Sequence, residues 1–352
     1  MTTSTRAKIF GLFTLLTGFM LFSAQNLKSS DWGEDSSFVK RRADAPIDWK
    51  KVELIVVQSH HDNFRTELRK RNYPYWYLTQ KQFVSYLDYG GANKVAFFSE
   101  KGKSSKGVVR YDPKRQVILF GCSDYILLTL KQIYKLRNYV ADGGFIFNNC
   151  WGVTMLGQVF PDYLKVALDN DYPEEDIKTD QGNKDLPCNL KVSKKSHSLF
   201  IGLEKMDDTI TFTFSGARRA KLVHKDIETL FYIPAEKDAA MFWFQFKEDP
   251  DKLSEKQIEV ISGRQRKKPK RGKPRGAASG QDVEPWALKS YAGRCLNFLP
   301  HFVEQADSNR KVADIRDTIF YNFIVVKQDT YDEYIKKNPG EKEKGKKKKG
   351  KK

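Results

Sequence analysis

Twice in this chain a threonine stands three residues before a glutamine, each time at the head of a helical stripe that closes on two glycines. Thr79 and Gln82 have the spacing at which two side chains satisfy the unpaired amides of a helix start, and Leu78 and Phe83 flank them as a hydrophobic staple. Phe83, Tyr86 and Leu87 then share one helical face, and the helix should stop at Gly90-Gly91. Thr129 and Gln132 repeat the device, with Leu128 and Ile133 as the staple and Ile133, Leu136 and Val140 as the inward stripe. That helix should end at Asp142-Gly143-Gly144, where glycine accepts the left-handed backbone of a helix terminus. Short apolar runs at 52–57, 117–120 and 145–147 read as strands. Parallel neighbours need a crossover of a dozen or more residues, usually a helix, so strand, capped helix, double glycine and strand spell a parallel sheet. The expectation is a doubly wound α/β domain, its mainly parallel sheet flanked by helices.

The rest of the chain carries weaker signals. A stretch rich in Asn, Arg and Tyr follows the first strand and reads as loop up to Leu78. Residues 153–168 fit a helix interrupted at Pro161, 209–214 alternate like a strand, and 240–246 form an apolar aromatic strand. Val312, Ile315, Ile319 and Phe323 put a final helix over 312–326.

A formal charge of +18 suggests a nucleic-acid partner until it is located. Eight Arg and Lys residues between Arg264 and Arg275 carry +8, and residues 336–352 carry another +8, which leaves the folded body close to neutral. Such Pro/Gly-punctuated segments cannot bury a core, so 264–276 reads as a basic insertion and 329–352 as a disordered lysine-rich tail. At the other end, Arg6 and Lys8 precede an uncharged apolar run from Ile9 to Phe22, the pattern of a signal peptide or N-terminal anchor over 1–24. Residues 25–51 are polar and read as a linker to a domain spanning 52–328. The four cysteines form no CxxC pair, and a domain of this size needs no disulfide.

The segment Leu136-Arg-Asn-Tyr-Val-Ala-Asp-Gly-Gly-Phe145, followed by Cys150-Trp151-Gly152, resembles the domain of unknown function 4159 family. Phe160-Pro161-Asp162, His197-Ser198-Leu199-Phe200, the stretch Asn72 to Trp76 and the late segment Arg316 to Asn322 extend the resemblance over 52–328. It implies a class I glutamine-amidotransferase-like, flavodoxin-like sheet, relatives often exported by bacteria, and no established activity. The family's paired acids are Asn148-Asn149 here, and Cys150 stands where it carries an aromatic.

Cys150 would lie in a strand-to-helix elbow at the carboxyl end of a parallel strand, where amidotransferases place a nucleophilic cysteine activated by histidine. His197 is the partner named for that role, with His224 and His301 as others; the leading glycine of such an elbow is missing, since Asn148 occupies its place. The bland alternative, a small side chain filling the aromatic slot, weighs more. Cys122, Ser123 and Asp124 follow the 117–120 strand, and Asn148, Asn149, Trp151 and Gly152 follow the next, so the two loops should share one edge as a ligand-binding place. His60-His61 before Asp62 is a weak metal signal, and neither a metal nor a cofactor is expected.

Three functions compete. One is an envelope protein, exported to the periplasm or held at the membrane by its leader, whose non-catalytic domain binds a ligand or an envelope protein. The second is a cysteine-dependent hydrolase or amidase using Cys150. The third is a polyanion or nucleic-acid binder acting through the basic segments. Anionic lipid or envelope polymer suits the tail better than specific nucleic-acid binding, because no aromatic residue interleaves the lysines after Tyr334. The first reading leads.

Overall fold

A computed structural model describes residues 46–59, 63–121, 128–149, 152–166, 186–214, 220–234, 239–246, 293–298 and 310–339. Along the chain these form β1 (Glu53–Val57), α1 (Asn63–Lys70), β2 (Tyr75–Leu78), α2 (Gln80–Tyr89), β3 (Gly91–Phe98), β4 (Ser104–Arg110) and β5 (Gln116–Phe120). Then come α3 (Leu130–Ala141), β6 (Phe145–Asn149), α4 (Val153–Val159), β7 (Leu164–Val166), β8 (Leu186–Val192) and a 3₁₀ turn at Ser198–Phe200. The order closes with β9 (Thr209–Phe214), β10 (Ala220–Leu222), β11 (Glu228–Tyr232), β12 (Ala239–Gln245), β13 (Arg294–Phe298) and α5 (Arg310–Lys337).

Among the described residues eleven strands make one sheet in the order β4-β3-β2-β1-β5-β6-β13-β12-β11-β8-β9. Its centre, β2-β1-β5-β6-β13, is parallel throughout. Taken in chain order, those five strands lie as second, first, third, fourth and fifth, which is the flavodoxin-like winding. Antiparallel wings extend both sides, β3-β4 at one edge and β12-β11-β8-β9 at the other.

Both caps form as the sequence requires. Thr79 and Thr129 each accept from the amide three residues on, and Gln82 and Gln132 reach back to the threonine amides. The first helix ends at Gly90 with φ of 70°, the left-handed conformation, and Gly143 after the second has φ of 101°. Helices α2, α3 and α4 cover one face of the sheet, where Phe83, Leu136 and Leu156 join Ile55, Ile118, Phe120 and Ile146 in one core. The opposite face packs on α1 and α5: Phe147 lies 5.6 Å from Phe64 and 5.2 Å from Phe320, and Phe145 lies 5.3 Å from Phe323. Sheet residues alternate faces, so a strand buried on both sides reads as an unbroken apolar run, as β1, β5 and the start of β6 do.

Three expectations need correction, and one pair of strands is unanticipated. The region after β1, read as loop, holds α1 and β2; α1 buries only Phe64, Glu67 and Leu68, too thin a stripe to stand out in its sequence. The hairpin β3-β4 intervenes before β5, an addition that the local pattern does not announce. The helix expected from 153 ends at Val159, because the residue before Pro161 is pushed out of the helical region, and β7 takes over at Leu164. The final helix continues to Lys337, so 329–337 belongs to the folded body and not to the tail. Thr330 and Tyr334 are buried there, and Lys51 pairs with Asp332 at 2.7 Å.

No helix among the described residues is long and apolar enough to cross a membrane. The leader, the basic insertion and residues 340–352 lie outside the described residues.

Candidate functional site

In an open parallel sheet, a crevice forms beyond the carboxyl ends of the strands where the winding reverses. Here the reversal falls between β1 and β5, and the carboxyl ends are Val57, Leu78, Phe120, Asn149 and Phe298. Gln58 leaves β1 at this edge, its amide donating to the Leu78 carbonyl at 2.8 Å. Gly121 follows β5, and Asn148 stands in register with Phe120.

The last two residues of β6 are asparagines, and they do different things. Asn149 Nδ2 donates to the Phe298 carbonyl at 2.9 Å, tying β6 to the end of β13 on the α1–α5 face. Asn148 faces the other way, on the side of Ile146 and Cys295, and its register partner on β13 is Asn297. The two carboxamides are 0% and 1% exposed, and among the described residues neither the oxygen nor the nitrogen of either has a hydrogen-bond partner. In the first turn of α4 the Thr154 hydroxyl is likewise buried and unpartnered. Each such group costs on the order of 1–3 kcal/mol in lost hydration, where an aliphatic side chain would cost nothing.

Gly152 makes this edge tight. A Cβ added there would come 3.2 Å from both the Phe120 and Gly121 carbonyl oxygens and 3.4 Å from Asn148 Cβ. A side chain here would have to push those carbonyls back by a few tenths of an ångström, so glycine suits the close approach of α4 to the ends of β5 and β6. The edge thus brings together Asn148, Asn149 and Gly152 of the expected binding place, and adds Asn297 to them. A carboxamide offers one acceptor and two donor hydrogens and does not titrate, so Asn148, Asn149 and Asn297 can recognise a ligand but do not themselves exchange protons.

The remaining expected positions, Cys122, Ser123, Asp124, Cys150 and Trp151, lie outside the described residues, as do His60, His61, Asp62 and His301. The strand and helix that bracket Cys150 are present as β6 and α4. His197 is placed elsewhere. It caps the 3₁₀ turn, Nδ1 accepting from the Leu199 amide at 3.2 Å, and its ring meets Trp243 edge to face at 4.9 Å. With Gln245 and Arg294 it borders a cavity at the amino-terminal edge of the parallel strands. A five-residue strand separates that edge from Asn149, roughly 13 Å. His224 stacks on Tyr163 at 4.2 Å, and its Nδ1 accepts from the Asp226 amide. Cys295 is a buried free thiol that burial pushes well above its ordinary pKa, the wrong direction for a nucleophile. No group of three or more His, Cys, Asp or Glu among the described residues could hold a metal.

Asn297 is hard to connect with the site from sequence because it lies 149 positions from Asn148. Its one signal is a lone amide inside the apolar run Cys295-Leu-Asn-Phe298.

No protein-family model matches the chain, and no curated protein matches it. Among solved structures it is similar to a Thermoplasma acidophilum protein whose name assigns it to GMP synthase as a subunit, with 13% identity and a TM-score of 0.43, over 81% of this chain and 98% of that one. A cytoplasmic protein of Salmonella typhimurium aligns at 8% identity and a TM-score of 0.40, over 78% and 98%. A ThuA-like protein of Bacteroides uniformis aligns at 10% identity and a TM-score of 0.29, over 52% and 68%.

Proposed function

We propose that this chain is an exported or membrane-tethered envelope protein of the domain of unknown function 4159 kind. Its amidotransferase-like domain binds a ligand or partner at the carboxyl edge of the parallel strands without catalysing a reaction. The observation that carries the reading is the pair Asn148 and Asn297, two buried amides side by side on neighbouring central strands that find no partner among the described residues. A fold gains nothing from such a pair, whereas a ligand that supplies complementary donors and acceptors recovers its cost on binding. The family's acids are amides at this edge, which favours recognition over acid–base chemistry.

Asn148→Leu separates a binding role from a structural one. The substitution should raise the unfolding free energy by about 1–2 kcal/mol, because it removes an unpaired buried amide. It should also abolish the thermal shift that a bound member of a panel of amides, nucleobases and sugars gives the parent protein. A destabilised variant, or an identical shift in both proteins, would sink the proposal. For location, fractionation of cells making the full chain should recover it with the envelope, and recovery in the cytosol alone would refute export.

A further inference from the structure

At the opposite edge of the sheet, a cavity of about 310 Å³ opens between the 3₁₀ turn at Ser198–Phe200, the start of β11, the end of β12 and the start of β13. Its floor is cationic. The Arg294 guanidinium lies 5.2 Å from the Trp243 ring and 5.7 Å from the Phe145 ring, and its Nη1 donates to Thr330 Oγ1 at 3.0 Å. Its Nε is buried with no partner among the described residues, and Glu333 and Asp329 act on it only through space. A guanidinium presents five donors in a planar fork, so most of this one's capacity is unspent.

His197 stands over the same space. Because Nδ1 accepts from the Leu199 amide, the proton of the neutral ring is on Nε2, which can donate to a ligand. Burial holds the imidazole below its ordinary pKa, in keeping with that neutral form. The ring is held from behind: Asn322 Nδ2 donates to the carbonyls of Leu199 and Ile201 at 2.8 and 2.9 Å, and Trp243 fixes its edge. At the rim Lys194 is already paired with Glu228 at 3.2 Å, and Asp226 adds a second negative charge.

We propose that this cavity is a second ligand site, which takes a small polar carboxylic acid, its carboxylate on Arg294 and on the Nε2 proton of His197. One unpaired guanidinium and one neutral donor suit a single negative charge. The acidic rim repels a dianion such as phosphate and accepts the hydroxyl or ammonium group of a hydroxy or amino acid. The site is independent of the carboxyl edge, so Asn148→Leu leaves it intact.

Titration of the full chain with acetate, L-lactate, L-glutamate and inorganic phosphate, followed by calorimetry and by the ¹⁵N signals of the His197 ring, tests this. A carboxylate should bind saturably and raise the His197 midpoint, since the anion favours the imidazolium, a response that a merely structural histidine would not give. Arg294→Gln should weaken binding ~10-fold or more. Should that variant fail to fold, the His197 midpoint in the parent protein decides alone. No saturable carboxylate binding, an unmoved midpoint, unchanged affinity in Arg294→Gln, or phosphate binding as tightly as the carboxylates would each overturn the proposal.

Discussion

Arg137 illustrates what the residues of the family resemblance do in this chain. Its guanidinium is 1% exposed and forms a two-pronged pair with Asp162 at 2.8 and 3.0 Å while also holding the Val159 carbonyl, so it fastens α3 to the end of α4. Arg316 pairs with buried Glu67 at 3.2 Å and links α5 to α1; Trp76 Nε1 donates to Glu53 at 2.7 Å. These are ties between elements. Lys327 is another, and nothing in its local pattern marks it as buried. It is fully enclosed, with its Nζ donating to the carbonyls of Pro113 and Gly143 at 2.6 Å each. Burial holds its pKa well below the ordinary lysine value, against a smaller upward pull from Asp112. The unfolded chain then binds more protons than the folded one between the folded pKa and the ordinary value of 10.5, so this group's contribution to stability rises with pH across that window. Denaturation of the parent and of Lys327→Met between about pH 7 and pH 9, below the range where tyrosines ionise, should show the rise only in the parent. Equal slopes would mean that Lys327 does not titrate in this way.

Among the elements, α3 and its exit are the best determined. Gly144 packs beneath the helix it follows, and a Cβ there would stand 2.2–2.5 Å from the Tyr139 ring, itself fully buried in α3. The double glycine therefore has two separate causes: Gly143 turns the backbone, and Gly144 makes room for a ring. Gly144→Ala should cost about 1–3 kcal/mol, as overpacked cores do, and Tyr139→Leu should recover part of that loss in the double variant. Additive effects in urea denaturation would show that the ring and the glycine do not press on each other. Legibility at this scale follows periodicity. The capped helices and the runs at 52–57, 117–120 and 145–147 stand out because local spacing alone decides them. Helix α1 does not, since its stability comes from Phe64 against Phe147 and from Glu67 against Arg316, contacts made far along the chain.

For the molecule as a whole, the position of the last helix decides where the folded body ends. Residues 328–334 hold the amino-terminal edge: Gln328 Oε1 accepts from the Asp48 amide, Thr330 holds Arg294, and Lys114 lies 4.1 Å over the Tyr334 ring. A chain ending at Lys327 should lose several kcal/mol of stability, roughly the sum of those contacts, whereas one ending at Pro339 should match the full chain within about 0.5 kcal/mol. Equal stability of the two would return 329–337 to the tail. Local pattern alone determined the capped helices, their glycine stops and the parallel core, because hydrogen bonding and side-chain alternation repeat within a few residues. It also placed Asn148 and Asn149 at a strand end. Only the tertiary structure set Asn297 beside Asn148, carried His197 to the far edge next to Arg294, and buried Lys327 against two carbonyls. Those arrangements depend on how β13 and α5 pack, and packing between distant segments is fixed by shape and burial across the whole core, which no short window of sequence contains.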